Sequence, residues 1–412
     1  MLTSTWITAR SYARTGLALA SLVALGAVGA SGTSQQGPAA TIQALDGSRL
    51  PVMTDSLEDG SWGDDTAVID TGMSVQQTKR WGAGAFEVTL HGGDRILGTM
   101  ADGNEESLGM KLISSAFASF SIEEIGHLIA LENLTDLSAL TAPESGDRLW
   151  RITPGGFDPL DGFLIGFGQE GVTMEGDLGT RTTAWDDVAS LWIEALEEAP
   201  SGSRTKDDQG RAPVAVDLVD GSRLRGHFGG IGEGKVHLVR SGGKAIALDL
   251  YSVMKVSLDD QRQVYLSDRK WLEKDALSLF GDDFGMRWPT VADRSVLGES
   301  LRSNGKIWSR GLGVHAPSSV QFDSLGGGFL RGLVAVDDSV LSVPAKGSVI
   351  FHVLLDGKTV WSSPEMTSGD TPIVLPEISI GKAKSLELRV DEASNSFVGD
   401  RANWLDIRIV KP

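Results

Sequence analysis

Six residues in two stretches near the C-terminus combine aromatic rings with planar polar side chains. They are Trp308, His315, Asp400, Asn403, Trp404 and Asp406. Aromatic faces pack on the apolar surface of a ligand ring, and carboxylate, amide and imidazole groups exchange hydrogen bonds with hydroxyl groups, ionised acceptors making the stronger bonds. The set therefore favours binding of a hydroxyl-rich ligand over a chemical step.

Short alternating strands position these residues. Apolar side chains recur at every second position in 349–355, 386–390 and 405–409, which is the period of a strand with one buried face. The Asp356-Gly357 pair that follows the first run is a hairpin turn signal. Such strands, joined by long glycine-rich connections, favour a β-sandwich.

The orientation of side chains in the last strand follows from its alternation. Trp404 and Asp406 have the opposite parity to Leu405 and Ile407, so we expect the Trp404 indole to leave the core face. A position covering the edge of the sandwich fits the pattern equally well. For His315, which lies between apolar residues, the alternative to a ligand contact is a buried imidazole hydrogen-bonded to a neighbouring carboxylate.

Four stretches in the last third of the chain together resemble one family. They are 304–316 (NGKIWSRGLGVHA), 336–338 (VDD), 347–358 (with GSVIF and DGK) and 400–406 (DRANWLD). In this order they resemble the NPCBM family, named for its occurrence beside family 98 glycosyl hydrolases. The resemblance implies a galactose-binding-like jelly-roll fold for 261–412 and a glycan as the ligand class. Asn403 stands where family members often have an acidic residue.

A letter-for-letter repeat organises the earlier part of the chain. Asp-Gly-Ser-Arg-Leu occurs at 46–50 and again at 220–224, and weaker copies with a strand, a glycine turn and a strand lie at 88–98 and 150–164. We expect tandem small β-barrels, because barrel closure removes exposed sheet edges. The pattern weakly resembles tandem Sm-like barrels.

These patterns divide the chain into seven segments. They are a signal peptide at 1–30, a partial β repeat at 41–80, small β-barrel repeats at 85–140, 147–198 and 212–260, a linker at 199–211 and the sandwich at 261–412. The linker is assigned because its residues are small and polar and lack an apolar period.

The N-terminus predicts a secretory signal. Arg10 and Arg14 precede an apolar run over 17–28, and small residues at 28–30 offer a cleavage site. The run is shorter than the roughly 20 residues that span a bilayer, so we expect no transmembrane span after cleavage, a retained anchor being the alternative. The chain has no cysteine, which excludes disulfides and Cys-ligated zinc. These features indicate a secreted, periplasmic or cell-envelope protein of a bacterium.

The charge balance and the spacing of possible metal ligands limit which molecules the chain is expected to bind. Lys and Arg number 37 against 55 Asp and Glu, a net charge of -18 that disfavours nucleic acid. The histidines have no partner at metal-ligand spacing. No cofactor is firmly implied, although Asp391, Glu392 and Asp400 leave room for a structural calcium ion. The Asp337-Asp338 pair fits a turn that caps its own backbone better than a cation site.

Three functions compete for this sequence. A glycoside hydrolase needs two suitably spaced carboxylates in a sizeable domain, but the short repeats leave no room for such a domain, and no β/α alternation or Gly-x-Ser-x-Gly elbow occurs. An accessory to a glycoside hydrolase is a less favoured alternative. A structural envelope protein would contact other proteins without binding sugar. We expect instead a secreted, non-catalytic, all-β protein whose small β-barrel repeats precede a galactose-binding-like jelly-roll β-sandwich, with the six residues named first recognising a neutral glycan.

Overall fold

The computed structural model describes most of the chain after the predicted signal. The described ranges are 39–46, 48–53, 62–71, 84–136, 139–177, 179–195, 205–240, 243–274, 288–323, 326–344, 346–394 and 398–411. The predicted signal peptide lies outside the described residues, as does part of the predicted linker. The described residues form antiparallel strands and short 3₁₀ turns, which confirms the all-β class. In these ranges no helix has the length and apolar character needed to cross a membrane.

Eighteen strands before residue 260 belong to one extended sheet system of four units. Unit 1 contains β1 (Ala39–Ala44), β2 (Arg49–Met53) and β3 (Thr66–Asp70). Unit 2 contains β4 (Ala85–Leu90), β5 (Arg95–Gly103), β6 (Ser107–Leu112), β7 (Phe117–Ser121) and β8 (Ile125–Ala130). Unit 3 contains β9 (Asp147–Thr153), β10 (Gly156–Gly168), β11 (Gly171–Gly176), β12 (Gly179–Ala184) and β13 (Val188–Trp192). Unit 4 contains β14 (Pro213–Leu218), β15 (Arg223–Gly232), β16 (Lys235–Val239), β17 (Ala245–Asp249) and β18 (Val253–Leu258).

Units 2, 3 and 4 share one strand order. In each, the first strand pairs with the second and the fifth, and the second, third and fourth strands follow in sequence. A 3₁₀ turn precedes each fifth strand, at Ile122–Glu124, Trp185–Asp187 and Leu250–Ser252. Among the described strands no ladder joins the fourth to the fifth, so closed small barrels and their boundaries remain a prediction.

The units associate through their last strands. β8 pairs with β13, and β3 pairs with β18, so unit 2 joins unit 3 and unit 1 joins unit 4. One apolar core extends through all four units, with Val88, Leu149, Val216 and Ile69 among its buried members. Burial of these side chains supplies the main stabilising free energy of this part of the chain.

The repeated turn motif has the same local role in both letter-for-letter copies. The Asp46 carboxylate accepts a hydrogen bond from the Ser48 N–H at 2.8 Å, and the Asp220 carboxylate accepts one from the Ser222 N–H at 2.9 Å. Aspartate stabilises turns in this way because its short side chain reaches the backbone two residues on. Gly221 has φ of +91°, a left-handed conformation that a side chain would strain.

The remaining strands form a two-sheet sandwich and a hairpin. One sheet contains β19 (Gln263–Tyr265), β21 (Val291–Ala292), β24 (Gly311–His315), β26 (Phe329–Val336), β30 (Ile373–Val374), β31 (Ile378–Ser379) and β33 (Arg401–Val410). The other contains β20 (Leu272–Glu273), β25 (Ser318–Asp323), β27 (Ser348–Leu355), β28 (Lys358–Ser362), β29 (Met366–Thr367) and β32 (Ser385–Glu392). The hairpin is β22 (Leu301–Ser303) with β23 (Lys306–Trp308). Two further 3₁₀ turns are Leu266–Asp268 and Asp338–Ser342, and one in unit 2 is Leu131–Asp136. The jelly-roll sandwich class is confirmed.

A β-bulge in β33 changes the alternation of the last strand. Leu405 pairs with Leu333 but Arg408 pairs with Arg331, so β33 has one extra residue at this point. Asp406 lies there with φ of +51°. A bulge reverses the face on which later residues point, so Trp404 and the residues after the bulge can share a core although their parity differs.

Buried ion pairs join unit 4 to the sandwich. The Arg223 guanidinium contacts the Asp217 carboxylate at 2.7 Å in its own unit and the Asp293 carboxylate at 2.8 Å in the sandwich. Asp293 also contacts Arg310 at 3.0 Å, and Arg310 forms a second ion pair with Asp268. Burial alone would raise the pKa of Asp293, but Arg310 and Arg223 hold that pKa well below its usual range. Of these pairs, Arg223–Asp293 exists only while the two parts are in contact.

The same set of ion pairs continues into unit 2. Arg225 contacts Asp268 at 3.3 Å, Asp259 at 3.1 Å and Asp94 at 3.2 Å. Arg240 of unit 4 then contacts Asp94 at 3.1 Å. Unit 2, unit 4 and the sandwich are therefore linked by one continuous series of charged side chains.

Candidate functional site

The two predicted stacking residues lie in apolar surroundings. Trp404 is 0 % exposed and meets Phe351 edge to face, with ring centroids 5.1 Å apart. The expectation that its indole leaves the core face is wrong, because the bulge at Asp406 lets both Trp404 and Ile407 enter the core. Trp308 is half-buried against the apolar cluster under the β22–β23 hairpin, and the Lys306 ammonium lies 4.5 Å from its ring centroid.

Asn403 is a structural residue in this fold. It is fully buried, and its Nδ2 donates to Asp337 Oδ2 at 2.6 Å. Asp337 in turn accepts from the Ser339 N–H at 2.9 Å, so it caps the following turn as the sequence predicts. Asp338 accepts from the Asn304 and Gly305 N–H groups of the hairpin, each at 2.9 Å. This group of residues holds the hairpin against the sheet, with Asn403 and Asp337 buried beneath it.

Asp406 lies at the junction with unit 4. Lys255 Nζ of unit 4 donates to Asp406 Oδ1 at 2.7 Å, and Arg408 forms a second ion pair with the same carboxylate. Burial by itself raises the pKa of Asp406, but the two cations outweigh it and hold the pKa well below its usual range. The carboxylate is therefore committed to the interface.

His315 and Asp400 remain close together at one end of the sandwich. The Ala316 N–H, next to His315, donates to the Asp400 carbonyl at 2.9 Å, and the Ser348 N–H donates to Asp400 Oδ1 at 2.8 Å. The end of β24, the start of β33, the start of β27 and the end of β32 meet here. We call Trp288, His315, Glu392, Asp400 and Arg401 the sandwich-end cluster.

The His315 imidazole is oriented by two contacts. Its Nδ1 donates to the Ala316 carbonyl at 2.8 Å, so the partner is a backbone carbonyl and not the expected carboxylate. The Trp288 indole is stacked on it with centroids 5.4 Å apart and planes 12° from parallel. Burial lowers the pKa of His315, an effect that the Ala316 bond opposes and the Arg401 charge reinforces. A neutral ring with its proton on Nδ1 leaves Nε2 as a hydrogen-bond acceptor.

Asp400 carries an unusual buried carboxyl. It is 0 % exposed, and its Oδ2 has no hydrogen-bond partner among the described residues. Burial raises the pKa of Asp400 to about 7; the Ser348 N–H bond opposes this, and the nearby Glu392 carboxylate adds to it. Gly347 and Gly399 surround it so closely that a Cβ on Gly347 would lie 2.2 Å from the Gly399 carbonyl oxygen.

The exposed members of the cluster supply the groups that bind hydroxyls. Trp288 and Arg401 are partly exposed, and Glu392 is exposed. Arg401 Nη1 donates to Ser339 Oγ at 3.3 Å. An indole surface, a carboxylate, a guanidinium and an imidazole acceptor at one edge match the needs of a polar ring ligand.

Sequence reasoning missed Trp288 and Arg401, and named Glu392 only as a calcium donor. Arg401 lies inside the matched stretch at 400–406 and could have been found there. Trp288 lies outside every matched stretch and joins the others only through the tertiary fold. Within the described ranges no group of three or more His, Asp or Glu residues is placed to hold a metal ion.

One pair in the repeats has the composition of a catalytic dyad. His127 Nε2 and Ser190 Oγ are 2.8 Å apart, between β8 and β13. Burial lowers the pKa of His127 to about 4, against the opposing charge of Glu87. Ser190 is 0 % exposed and Trp192 is stacked on the imidazole at 3.7 Å, so no substrate reaches the hydroxyl in this arrangement.

The chain has similar stretches in several solved structures. Among solved structures, the chain is similar to a CBM51 module from Clostridium perfringens GH95 in complex with methyl-galactose, with 24% identity, 36% of this chain and 99% of that chain covered, and a TM-score of 0.31. It is also similar to the CBM51-2 and INT domains of Clostridium perfringens ZmpB (21% identity, 44% and 39% covered, TM-score 0.32). Tandem CBM51 modules of Sp3GH98 from Streptococcus pneumoniae SP3-BS71 match at 15% identity, with 64% and 88% covered and a TM-score of 0.28.

The family comparison is specific to the sandwich. No curated protein matches the chain. A family model described as the NPCBM/NEW2 domain matches residues 262–410, the span in which the four sequence stretches and both sheets of the sandwich lie. The C-terminal third of the chain is therefore an NPCBM domain.

Proposed function

We propose that this chain is a secreted, non-catalytic protein whose NPCBM domain binds a neutral glycan at the sandwich-end cluster. The observation that carries the proposal is the stacked Trp288–His315 pair beside Glu392 and Arg401, at an edge where four strands end. Loops and strand ends on a rigid sandwich are where binding residues gather, because the scaffold fixes them without filling the space in front of them.

Each member of the cluster has a separate role in the proposal. The partly exposed Trp288 indole packs on the C–H face of a sugar ring, and His315 supports the indole and offers Nε2 to a hydroxyl. Glu392 accepts and Arg401 donates hydroxyl hydrogen bonds. Asp400 orients the strand ends through Ser348 and does not itself contact the sugar.

We propose an uncharged ligand because the protein itself is strongly negative. The chain carries a net charge of -18, and in the cluster the Glu392 carboxylate offsets the single guanidinium of Arg401. A polyanionic glycan would be repelled at long range, whereas an uncharged one is unaffected.

A glycan array of neutral oligosaccharides, followed by calorimetric titration of the best binder, tests the site. Trp288→Ala should weaken binding about tenfold or more, as loss of an aromatic anchor does. Trp308→Ala serves as the matched control, because that indole faces the hairpin cluster, and it should bind like the parent. Unchanged affinity in Trp288→Ala with loss in Trp308→Ala would move the site to the hairpin.

A further inference from the structure

A second cleft lies away from the sandwich-end cluster, between unit 1, unit 4 and the end of the linker. Its volume is about 680 Å³, within the usual range for small-molecule sites. The residues on which the argument rests are Trp62, Lys206, Arg211, Phe228, Glu233 and Arg262. Nearly all of the cleft is outside the NPCBM domain, so its ligand is not assigned by the family.

The aromatic wall of the cleft is held in place. Trp62 Nε1 donates to the Thr66 carbonyl at 3.0 Å, and the Trp62 ring meets Phe228 edge to face at 5.2 Å. Because the indole N–H is already used, the partly exposed Trp62 contributes ring surface to the cleft. Phe228 is buried and supports it.

Three glycines of β15, at 229, 230 and 232, also line the cleft. β15 has an irregular register between Phe228 and Gly230, which leaves Gly229 as the bulged residue. Gly230 has φ of +109°, and a Cβ on Gly229 would lie 3.0 Å from the His237 carbonyl oxygen. These constraints favour glycine at both positions, so the backbone there is not covered by side chains of these two residues.

The polar groups of the cleft have unused hydrogen-bonding capacity. Arg211 Nε donates a hydrogen bond to the Asp207 carboxylate at 2.6 Å. Neither terminal nitrogen of Arg211 has a partner among the described residues. Arg262 uses Nε on Asp260 and Nη1 on the Asp64 carbonyl, and its Nη2 is likewise without a described partner.

The charges of the cleft are balanced. Lys206 contacts Asp64 at 3.2 Å, with both side chains more than half exposed. Each cation thus already has an acidic partner, so a charged ligand gains little net Coulomb attraction. An uncharged ligand rich in hydroxyl oxygens can still accept from the spare guanidinium N–H groups and donate to Glu233.

From these features we infer that the cleft is a second saccharide site, which takes a neutral oligosaccharide with one ring against Trp62. Two sites on one chain would bind a polymeric glycan with higher apparent affinity than either site alone, because the second contact is intramolecular. The inference goes beyond the proposed function, since the two sites share no residue.

An array of neutral oligosaccharides containing galactose, glucose, mannose, fucose and N-acetylglucosamine is the probe, with the full chain as the protein. Signals that survive Trp288→Ala report the cleft, and adding Arg211→Gln or Glu233→Gln should reduce them about tenfold, the effect of losing one hydrogen bond to a charged group. Arg181→Gln, an exposed change on β12 of unit 3, is the matched control and should have no effect.

The outcomes separate the two sites. Loss of every signal in Trp288→Ala alone would overturn the second site and leave the proposed function intact. If every parent signal is insensitive to Trp288→Ala and is lost in Arg211→Gln, the cleft is supported and the sandwich-end site is overturned. A parent that binds nothing on the array overturns both, and equal signals in Arg211→Gln, Glu233→Gln and the parent overturn the cleft. Circular dichroism of each variant verifies that the fold is retained.

Discussion

Replacing Asp400 with asparagine probes the buried carboxyl at the sandwich end. Its pKa is raised from the ordinary value of 3.8 to about 7, because burial penalises the ionised form and Glu392 adds repulsion, while the Ser348 N–H bond opposes the shift. Between these values the folded state binds a proton that the unfolded state has lost. The free energy of unfolding therefore falls as pH rises through this window, and the stabilisation from the protonated form is gone above about pH 7.

The magnitude follows from the same window. One pKa unit corresponds to about 1.36 kcal/mol, so the parent loses roughly 2 to 3 kcal/mol between pH 5 and pH 8 through this group. Asparagine keeps the acceptor for the Ser348 N–H and cannot ionise. We therefore expect the stability of Asp400→Asn relative to the parent to increase by about 2 kcal/mol or slightly more over that range.

Urea denaturation of parent and variant at pH 5 and pH 8 measures the difference. Glu299→Gln, an exposed change in the same domain, is the control and should keep a constant difference from the parent. If the difference between Asp400→Asn and the parent is the same at both pH values, the carboxyl is not held in its protonated form and the assignment is wrong.

Two further predictions concern the interface and the N-terminus. Arg310 has a side chain only 3 % exposed, and it is one of two cations that contact each of Asp268 and Asp293. Arg310→Met should therefore lower the free energy of unfolding by about 3 kcal/mol, because each carboxylate keeps only one buried partner, whereas the exposed Lys358→Met should change it by less than about 0.5 kcal/mol. Equal midpoints in urea would contradict this. Export should remove the predicted signal, so N-terminal sequencing of the mature protein should begin between Ser31 and Ala40; an intact Met1 in the cytoplasmic fraction would end that proposal.

Local patterns predicted the sandwich strands well because each depends on neighbours in sequence. The Asp356-Gly357 turn joins β27 to β28 with φ of +49° and +76°, the paired positive values that such a hairpin requires. The Asp337-Asp338 turn is likewise local, because Asp337 caps the backbone two residues on. In these places a few consecutive residues contain all the information that the backbone needs.

The orientation of the Trp404 side chain could not be predicted from local sequence patterns. Strict alternation holds only while paired strands advance together, and the extra residue at Asp406 breaks it. The aspartate at this position does not predict a bulge, because aspartate tolerates the left-handed conformation but does not require it. The predicted site residues do not form one site for a related reason. Within the 400–406 stretch, Trp404 lies in the core, Asn403 lies under the hairpin and Asp406 contacts unit 4.

The second copy of the repeated motif, at 220–224, makes contacts with other parts of the chain that its sequence does not predict. In unit 4 its Ser222 Oγ accepts from the Leu97 N–H of unit 2 at 2.9 Å, while its Arg223 enters the ion pairs with Asp293 of the sandwich. A turn that is local in origin thus connects three parts of the chain. Because the ion pairs are buried, separating the NPCBM domain from unit 4 would leave Asp293 without Arg223 and Asp268 without Arg225. Unit 4 and the NPCBM domain are therefore expected to unfold together, although their strands belong to different sheets.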